Sequence, residues 1–313
     1  MASACALSQR GRGRTAPNPN VGCVLVREGR VVGRGWTQPG GRPHAEAMAL
    51  AAGAARGATA YVTLEPCAHE SPRGRACADL LIAAGVARVV IARTDPDPRT
   101  NGRGAARLRA AGIEVETGVL ADEATRAMAG FLTRQALGRP HVTLKLATSL
   151  DGCIALASGE SRWITGPEAR AHGHLERSRV EAILVGRGTF DADAPQLDVR
   201  LDGLEARSPR RVLLSRGGAA DGWETITSPA AIAGLARVDH VLVEGGAETA
   251  SAFLRADLVD RLLWYRAPIV IGGKPALGDI GLADLAAAHG RWRQRDARAL
   301  GSDRLEVYER VRG

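Results

Sequence analysis

The residues of this chain best suited to chemistry are His44, Glu46, Cys67 and Cys77, carried by "RPHAEAMAL" and "TLEPCAHESPRGRACADLL". Histidine and cysteine are natural ligands of Zn²⁺, which prefers four-coordinate nitrogen and sulfur sites. Three protein ligands leave a fourth position for water, the mark of a catalytic rather than a structural centre. A carboxylate beside such a centre can move protons. Residues i and i+2 in mid-helix do not face the same way, so His44 and Glu46 can share a site only at a helix start, and Pro43 fits that position. Pro66-Cys67 is read as the opening of another helix, where the dipole favours a thiolate. Cys77 stands before the apolar run "ADLLIAAG", also near a helix beginning. On residue type alone, Cys67 and Cys77 remain open between a disulfide, a pair of core thiols and two metal ligands. Five cysteines are odd in number and sparse for a disulfide framework. Cys5, Cys23 and Cys153 read as small buried hydrophobes.

The elements that must position these residues belong to a globular chain of 313 residues, 45% apolar and 24% charged, long enough for two domains. No stretch approaches the ~18 consecutive apolar residues of a spanning helix. The start, "MASACALSQRGRGRTAPNPN", lacks the apolar core of a signal peptide, so a cytoplasmic location with reduced thiols is expected, and no membrane partner. The net charge of +8 is almost all arginine, with Lys145 and Lys274 the two lysines. The arginines are spread along the chain without an aromatic-plus-basic stripe, so nucleic-acid binding is not expected.

The pattern reads as strands alternating with helices, an α/β arrangement. "VGCVLVREGRVVGRG" predicts two strands joined at Glu28-Gly29, "HAEAMALAAGAARG" a helix ended by Gly57, and "ATAYVTLE" a strand. "ACADLLIAAG" is read as a helix closed by Gly85, "ARVVIAR" as a strand, "GRGAARLRAAG" as a helix and "IEVETGVL" as a strand. "ADEATRAMAGFLTRQALG" is read as one helix stopped at Gly138 before Arg139-Pro140, which places a domain boundary between 1–139 and 140–313. Beyond it, "HVTLKLATS", "EAILVG", "RRVLLS", "DHVLVEGG", "RLLWYRAPIVIGG" and "DRLEVYERV" form a second α/β alternation.

Zinc nucleobase deaminases carry H-x-E…P-C-x-x-C. This chain departs from that spacing, with nine residues, "AHESPRGRA", between the cysteines. The stretch resembles the deaminase domain of the bifunctional riboflavin-biosynthesis deaminase–reductase family, which widens the same gap and retains His69, Gly74 and Arg75 in kind. "PNPNVGCVLV", "PHAE" and "TLEPCAH" are similar to that family's motifs. The resemblance implies that His44, Cys67 and Cys77 hold one Zn²⁺, that Glu46 shuttles protons, that Asn18 contacts the pyrimidine, and that the loop between the cysteines belongs to a substrate pocket.

In the second half, "VEGG" lies after a strand and before a helix, a place where backbone N–H groups and the helix dipole can cradle a phosphate. No G-x-G-x-x-G followed by an acid is present, so a Rossmann site is not supported. "KLATSLDGCIALASGESRWITGPEAR", "EAILVGRGTFDADAPQLDVR" and "VLVEGGAETASAFL" resemble the reductase half of the same family, in family order. The resemblance implies a cytidine-deaminase-like three-layer N-terminal domain and a dihydrofolate-reductase-like C-terminal domain that uses NADPH. Ala147, Trp163, Thr189, Asp193 and Gly246 match cofactor positions. Ser161, Arg177, Leu197, Arg200 and Glu244 match substrate positions, and the guanidinium forks of Arg177 and Arg200 suit a ribose phosphate. Asp151 in "SLDG" is left between a catalytic acid and a turn residue. Glu181 stands where the family usually has aspartate. The expected enzyme deaminates a phosphoribosylaminopyrimidine and then reduces its ribose, and it is expected to form a homo-oligomer. Two rival readings are a tRNA or nucleobase deaminase with an accessory domain and a nucleic-acid-binding protein with a structural zinc. A fourth protein ligand near the site would favour the latter.

Overall fold

The structure is a computed structural model that describes residues 1–70, 72 and 74–312. Ser71 and Arg73, both in the loop expected to line a pocket, lie outside the described residues. The chain divides into two compact units, Met1–Gly138 and Arg139–Gly313.

The first unit runs α1 (Ala2–Ser8), β1 (Gly22–Arg27), β2 (Arg30–Trp36), α2 (Ala45–Leu50), β3 (Thr59–Val62), α3 (Cys77–Ala83), β4 (Arg88–Ile91), α4 (Arg103–Ala110), β5 (Glu114–Thr117), α5 (Ala121–Ala127) and α6 (Ala129–Leu137). Its five strands lie in the order β2-β1-β3-β4-β5. β1 pairs antiparallel with β2 and β3, while β3, β4 and β5 run parallel. A β-carbon on Gly22 would meet α1, and one on Gly35 would meet α2. Neighbouring residues of a strand point to opposite faces, and Gly35 pairs with Cys23, the neighbour of Gly22, so these helices cover opposite faces of the sheet. This is the three-layer arrangement of a cytidine deaminase. The buried core includes Leu25, Val62, Leu64, Leu81, Ile91, Leu108 and Met128.

Three expected elements differ. The helix from His44 stops at Leu50, because Gly53 adopts φ +111° and the chain turns toward β3. The helix expected over 121–138 is broken at Met128. There Asn20 Nδ2 donates to the Ala127 carbonyl at 2.9 Å and competes with the continuing helix for that acceptor. Pro66-Cys67 opens no helix and lies in irregular chain after β3.

The second unit runs β6 (His141–Thr148), β7 (Cys153–Ala155), α7 (Pro167–Arg177), β8 (Ala182–Gly186), α8 (Arg187–Asp193), β9 (Arg210–Leu214), β10 (Glu224–Ile226), β11 (His240–Val243), α9 (Ala247–Arg255), β12 (Arg261–Arg266), β13 (Lys274–Pro275), β14 (Trp292–Leu300) and β15 (Asp303–Arg310). Eight strands form one sheet in the order β10-β9-β8-β11-β6-β12-β15-β14. The first six run parallel, and β15 and β14 close it antiparallel, a dihydrofolate-reductase-like sheet. Asp260 fixes the start of β6: it takes both arms of Arg139 at 2.7 and 2.9 Å and the Val142 N–H at 2.8 Å.

The placement of α2 depends on two glycines. A β-carbon on Gly33 would lie 2.3 Å from the Ala49 carbonyl oxygen, and one on Gly35 would lie 2.1 Å from that of Ala45. No real contact is that short, so only glycine lets the helix lie this close to β2. Gly35→Ala is expected to destabilise the first unit by about 1–3 kcal/mol through overpacking. Calorimetry should show its transition moving down, with that of the second unit unchanged.

Candidate active sites

In the first unit two helix starts meet. His44 is the N-cap residue of α2, with extended backbone (φ −71°, ψ 162°), and Cys77 is the first residue of α3. His44 Nδ1 lies 3.4 Å from Cys77 Sγ and 3.7 Å from Cys67 Sγ. The three ligand atoms lie within 4.8 Å of one another, and they form the one such His/Cys/Asp/Glu group among the described residues. A tetrahedral zinc with ordinary Zn–N and Zn–S bonds would hold its nitrogen and sulfur ligands about 3.6 Å apart. The donor set therefore fits zinc in kind and in spacing. His69 is not part of the group; its Nδ1 lies 3.4 Å from Thr100 Oγ1.

Cys67 is held from two sides. The Cys77 N–H points at its sulfur at 3.3 Å, and the Ala78 N–H donates to its carbonyl at 3.2 Å. The hydrogen bond from the Cys77 thiol, aided by His44, pulls Cys67 down to about 4. Cys77, on the other side of that hydrogen bond and buried, is pushed up. Metal binding requires both as thiolates. Glu46, in the first turn of α2, is 3% exposed. Burial raises its pKa, and the nearby His44 works against that rise. A carboxyl group raised in this way holds a proton more readily than a free one, which suits a group that must both take and give one.

Asn18 reaches the same centre, but through the ligand. Its amide nitrogen lies 3.1 Å from His44 Nε2. A histidine that binds metal through Nδ1 carries its proton on Nε2, so the Asn18 amide oxygen would have to face it. A cavity of about 280 Å³ beside His44 and Cys77 is also lined by Arg42, Pro43, Ala47, Gly74, Arg75 and Leu80.

In the second unit Ala147, Thr189, Glu244 and Gly246 lie at or just beyond the carboxyl ends of the parallel strands β6, β8 and β11, where open α/β sheets bind ligands. Glu244 follows β11, and its side chain is 8% exposed. It accepts from Arg177 Nε at 2.7 Å and Nη2 at 3.0 Å, and it pairs with Lys145 of β6 at 3.4 Å. Burial alone would raise its pKa, but Lys145 and Arg177 outweigh that and hold it well below the ordinary carboxylate range. The fork of Arg177, expected on a phosphate, is thus committed to Glu244, and its third arm donates to the Asp198 carbonyl at 3.0 Å. Arg200 keeps an exposed guanidinium loosely paired with Asp198 at 3.5 Å. Its backbone N–H donates to His174 Nδ1 at 3.3 Å.

Gly246 is the N-cap of α9, and its N–H donates to Thr189 Oγ1 at 3.1 Å. Its backbone (φ −70°, ψ −178°) suits any residue, and an added β-carbon would find only Thr189 Oγ1, 3.5 Å away. The glycine therefore keeps open a space above the first N–H groups of α9. Space beside unpaired N–H groups at a helix start suits the phosphates of a dinucleotide such as NADPH. Asp193 ends α8 and pairs with Arg162 at 3.2 Å, drawing the segment of Ser161 and Trp163 toward it. Trp163 is exposed, with Arg170 stacked 4.8 Å from its ring. Ala147, near the end of β6, packs against the cluster of Tyr265 and Leu263. Leu197 is set apart: its side chain is buried with Val180, Ile183, Val185 and Leu242. Asp151 accepts from Ser149 Oγ and from the N–H groups of Ile271 and Gly272, the pattern of a turn acid. Glu181 accepts the His240 N–H at 2.8 Å, and burial pushes it up to about 7.

Sequence reading had passed over Lys145, Glu65 and Asp95. Lys145 carried a faint signal as one of two lysines. Asp95 is buried, and that burial pushes it up to about 6.

Comparison with known proteins agrees across both units. Residues 1–93 match the cytidine and deoxycytidylate deaminase zinc-binding region, and residues 140–305 match the RibD C-terminal domain. The riboflavin biosynthesis protein RibD of Escherichia coli is 41% identical over 87% of this chain and 88% of its own length. The RibD of Aquifex aeolicus is 35% identical over 99% of this chain and 97% of its own. A solved structure of Acinetobacter baumannii RibD covers 100% of this chain and 98% of its own at 36% identity, with a TM-score of 0.88. A solved diaminohydroxyphosphoribosylaminopyrimidine deaminase/5-amino-6-(5-phosphoribosylamino)uracil reductase from Thermotoga maritima is 34% identical, covers 99% of this chain and 97% of its own, and has a TM-score of 0.89. Because both units match and the likeness runs over nearly the whole length, the chain belongs to the RibD family, the bifunctional deaminase–reductases of riboflavin biosynthesis.

Proposed function

We propose that the first domain, 1–139, deaminates 2,5-diamino-6-(5-phosphoribosylamino)pyrimidin-4-one, and that the second, 140–313, reduces the ribosyl group of the product to ribityl phosphate. The observation that carries the first half is the spacing of His44 Nδ1 from the two sulfurs, 3.4 and 3.7 Å, with the buried Glu46 beside them. His44, Cys67 and Cys77 hold the metal. Zinc, when bound, supplies the Lewis acidity that makes water nucleophilic near neutral pH. Glu46 takes the proton of the attacking water and returns protons to the ring and to the amine, which leaves as ammonia. Asn18 orients His44 and borders the pyrimidine.

In the second domain NADPH, when bound, would supply the hydride for C1 of the opened sugar, with the balancing proton drawn from water. The start of α9 with Gly246 and Thr189 takes the cofactor phosphates, and Ala147, Trp163 and Asp193 border the cofactor. Arg177 and Lys145 hold Glu244 as a carboxylate that can accept hydrogen bonds from the substrate. The exposed fork of Arg200, near His174, takes the substrate phosphate, with Ser161 and the backbone at Leu197 alongside. The protein is further read as a cytoplasmic homo-oligomer without a nucleic-acid partner. Supporting the last point, many arginines are spent on carboxylates within the fold, among them Arg88, Arg107, Arg139, Arg261 and Arg310. Among the described residues no helix is long and apolar enough to cross a membrane.

Metal analysis should find one zinc per chain, lost in Cys67→Ser and Cys77→Ser and kept in Cys5→Ser and Cys153→Ser. Full occupancy in Cys77→Ser would refute the ligand set. Glu46→Gln should lower the deamination rate ~10²–10⁴-fold, the usual worth of a general acid–base, with zinc bound and reduction of the deaminated substrate intact. A rate within a few-fold of the parent would contradict the role.

The second domain is tested by NADPH fluorescence titration beside reductase kinetics. Gly246→Val should weaken NADPH binding while deamination persists. Arg200→Ala should raise the reductase KM for the phosphorylated substrate by about 1.5–3 kcal/mol, the worth of a hydrogen bond to a charged group, with NADPH affinity unchanged. Normal NADPH binding by Gly246→Val would place the cofactor elsewhere.

A further inference from the structure

Glu65 takes no part in the chemistry above, yet it is 3% exposed. Its carboxylate is satisfied by three backbone N–H groups from far along the chain. Oε2 accepts from Gly102 at 2.9 Å and from Asp95 at 3.3 Å, and Oε1 accepts from Ala105 at 2.9 Å. Gly102 is the N-cap of α4, which has no side-chain cap of its own. Glu65 thus caps this helix from another segment, with a negative charge at the positive end of the dipole. The joint is tight: a β-carbon on Gly104 would lie 2.1 Å from the Pro66 carbonyl oxygen. The segment from Asp95 to Ala105 therefore sits directly on Glu65 and Pro66, the two residues before the ligand Cys67.

That segment also meets the residues after Cys67. Thr100 is buried, and its Oγ1 lies 3.4 Å from His69 Nδ1. We infer that Glu65 is a positioning residue of the deaminase site, holding the Asp95–Ala105 segment against Pro66 and His69 on either side of Cys67, at the start of the loop expected to line the substrate pocket. The inference rests on the deaminase reading of the first domain. Cys67 has its own anchors in α3, the N–H groups of Cys77 and Ala78, so loss of Glu65 frees the segment and spares the metal donors. Glutamine cannot replace glutamate here. Its NH₂ would face an N–H on one side of the clamp, leaving a buried donor without an acceptor.

The test uses the full chain with Glu65→Gln and, from the other side of the joint, Gly104→Ala. Deamination kinetics on the phosphoribosyl diaminopyrimidinone, zinc content and NADPH-dependent reduction of the deaminated substrate are measured together. In both variants the deaminase KM should rise about tenfold or more with kcat within about threefold, the pattern of lost substrate binding rather than lost chemistry. Zinc occupancy and reductase kinetics should match the parent. If Glu65→Gln does not fold, Glu65→Asp, which keeps the charge but shortens its reach to the Gly102 and Ala105 N–H groups, takes its place. A KM within about twofold of the parent in the folded variants, or zinc lost in step with activity, overturns the inference. A parent chain that binds zinc but does not deaminate this substrate overturns the deaminase reading, and this inference with it.

Discussion

Two helices must begin at one point. Zinc-type coordination needs the His44 nitrogen and the sulfurs of Cys67 and Cys77 at the corners of one small tetrahedron, and two of these donors sit at the starts of α2 and α3. Much of the first domain serves that demand. Gly33 and Gly35 let α2 lie against β2 closer than any side chain would allow. The same helix start brings Glu46 into the buried space beside the donors, two residues from His44, where a mid-helix pair would diverge. The long Cys67–Cys77 connection is tolerable because backbone N–H groups of α3 hold Cys67 in place.

The second domain solves a different problem, the burial of charge. Glu244 is enclosed, and a lone buried carboxylate would be expensive. Lys145 from β6 and Arg177 from α7 both reach it, so the group stays ionised and two cations stand against one anion. That positive surplus, with the exposed Arg200 nearby, suits a phosphorylated substrate. The orientation of Arg177 is thereby fixed, since its Nε, Nη1 and Nη2 are all occupied within the fold.

The grouping of His44, Cys67 and Cys77 was legible through the resemblance to the deaminase motifs, since residue type alone left the two cysteines open. The order of strands and helices was legible from periodicity and glycine stops. Helix lengths were not. The break at Met128 depends on Asn20, more than a hundred residues earlier, capturing the Ala127 carbonyl. The pairing of Arg177 with Glu244 was not legible for a related reason: the two lie 67 residues apart. Glu65 was invisible because a carboxylate satisfied by backbone N–H groups needs no particular side chains in its partners, and so leaves no motif.

The division of the chain between Gly138 and Arg139 has a consequence for supply. Two catalysts carried on one polypeptide are made in a fixed one-to-one ratio, whatever the rate of synthesis. The cell cannot rebalance the two steps by adjusting the abundance of either. Any mismatch between the production of the deaminated intermediate and its consumption must be settled by the intrinsic turnover of each domain and by the availability of reducing equivalents. The second step draws on the supply of reducing equivalents, which the hydrolytic first step does not consume.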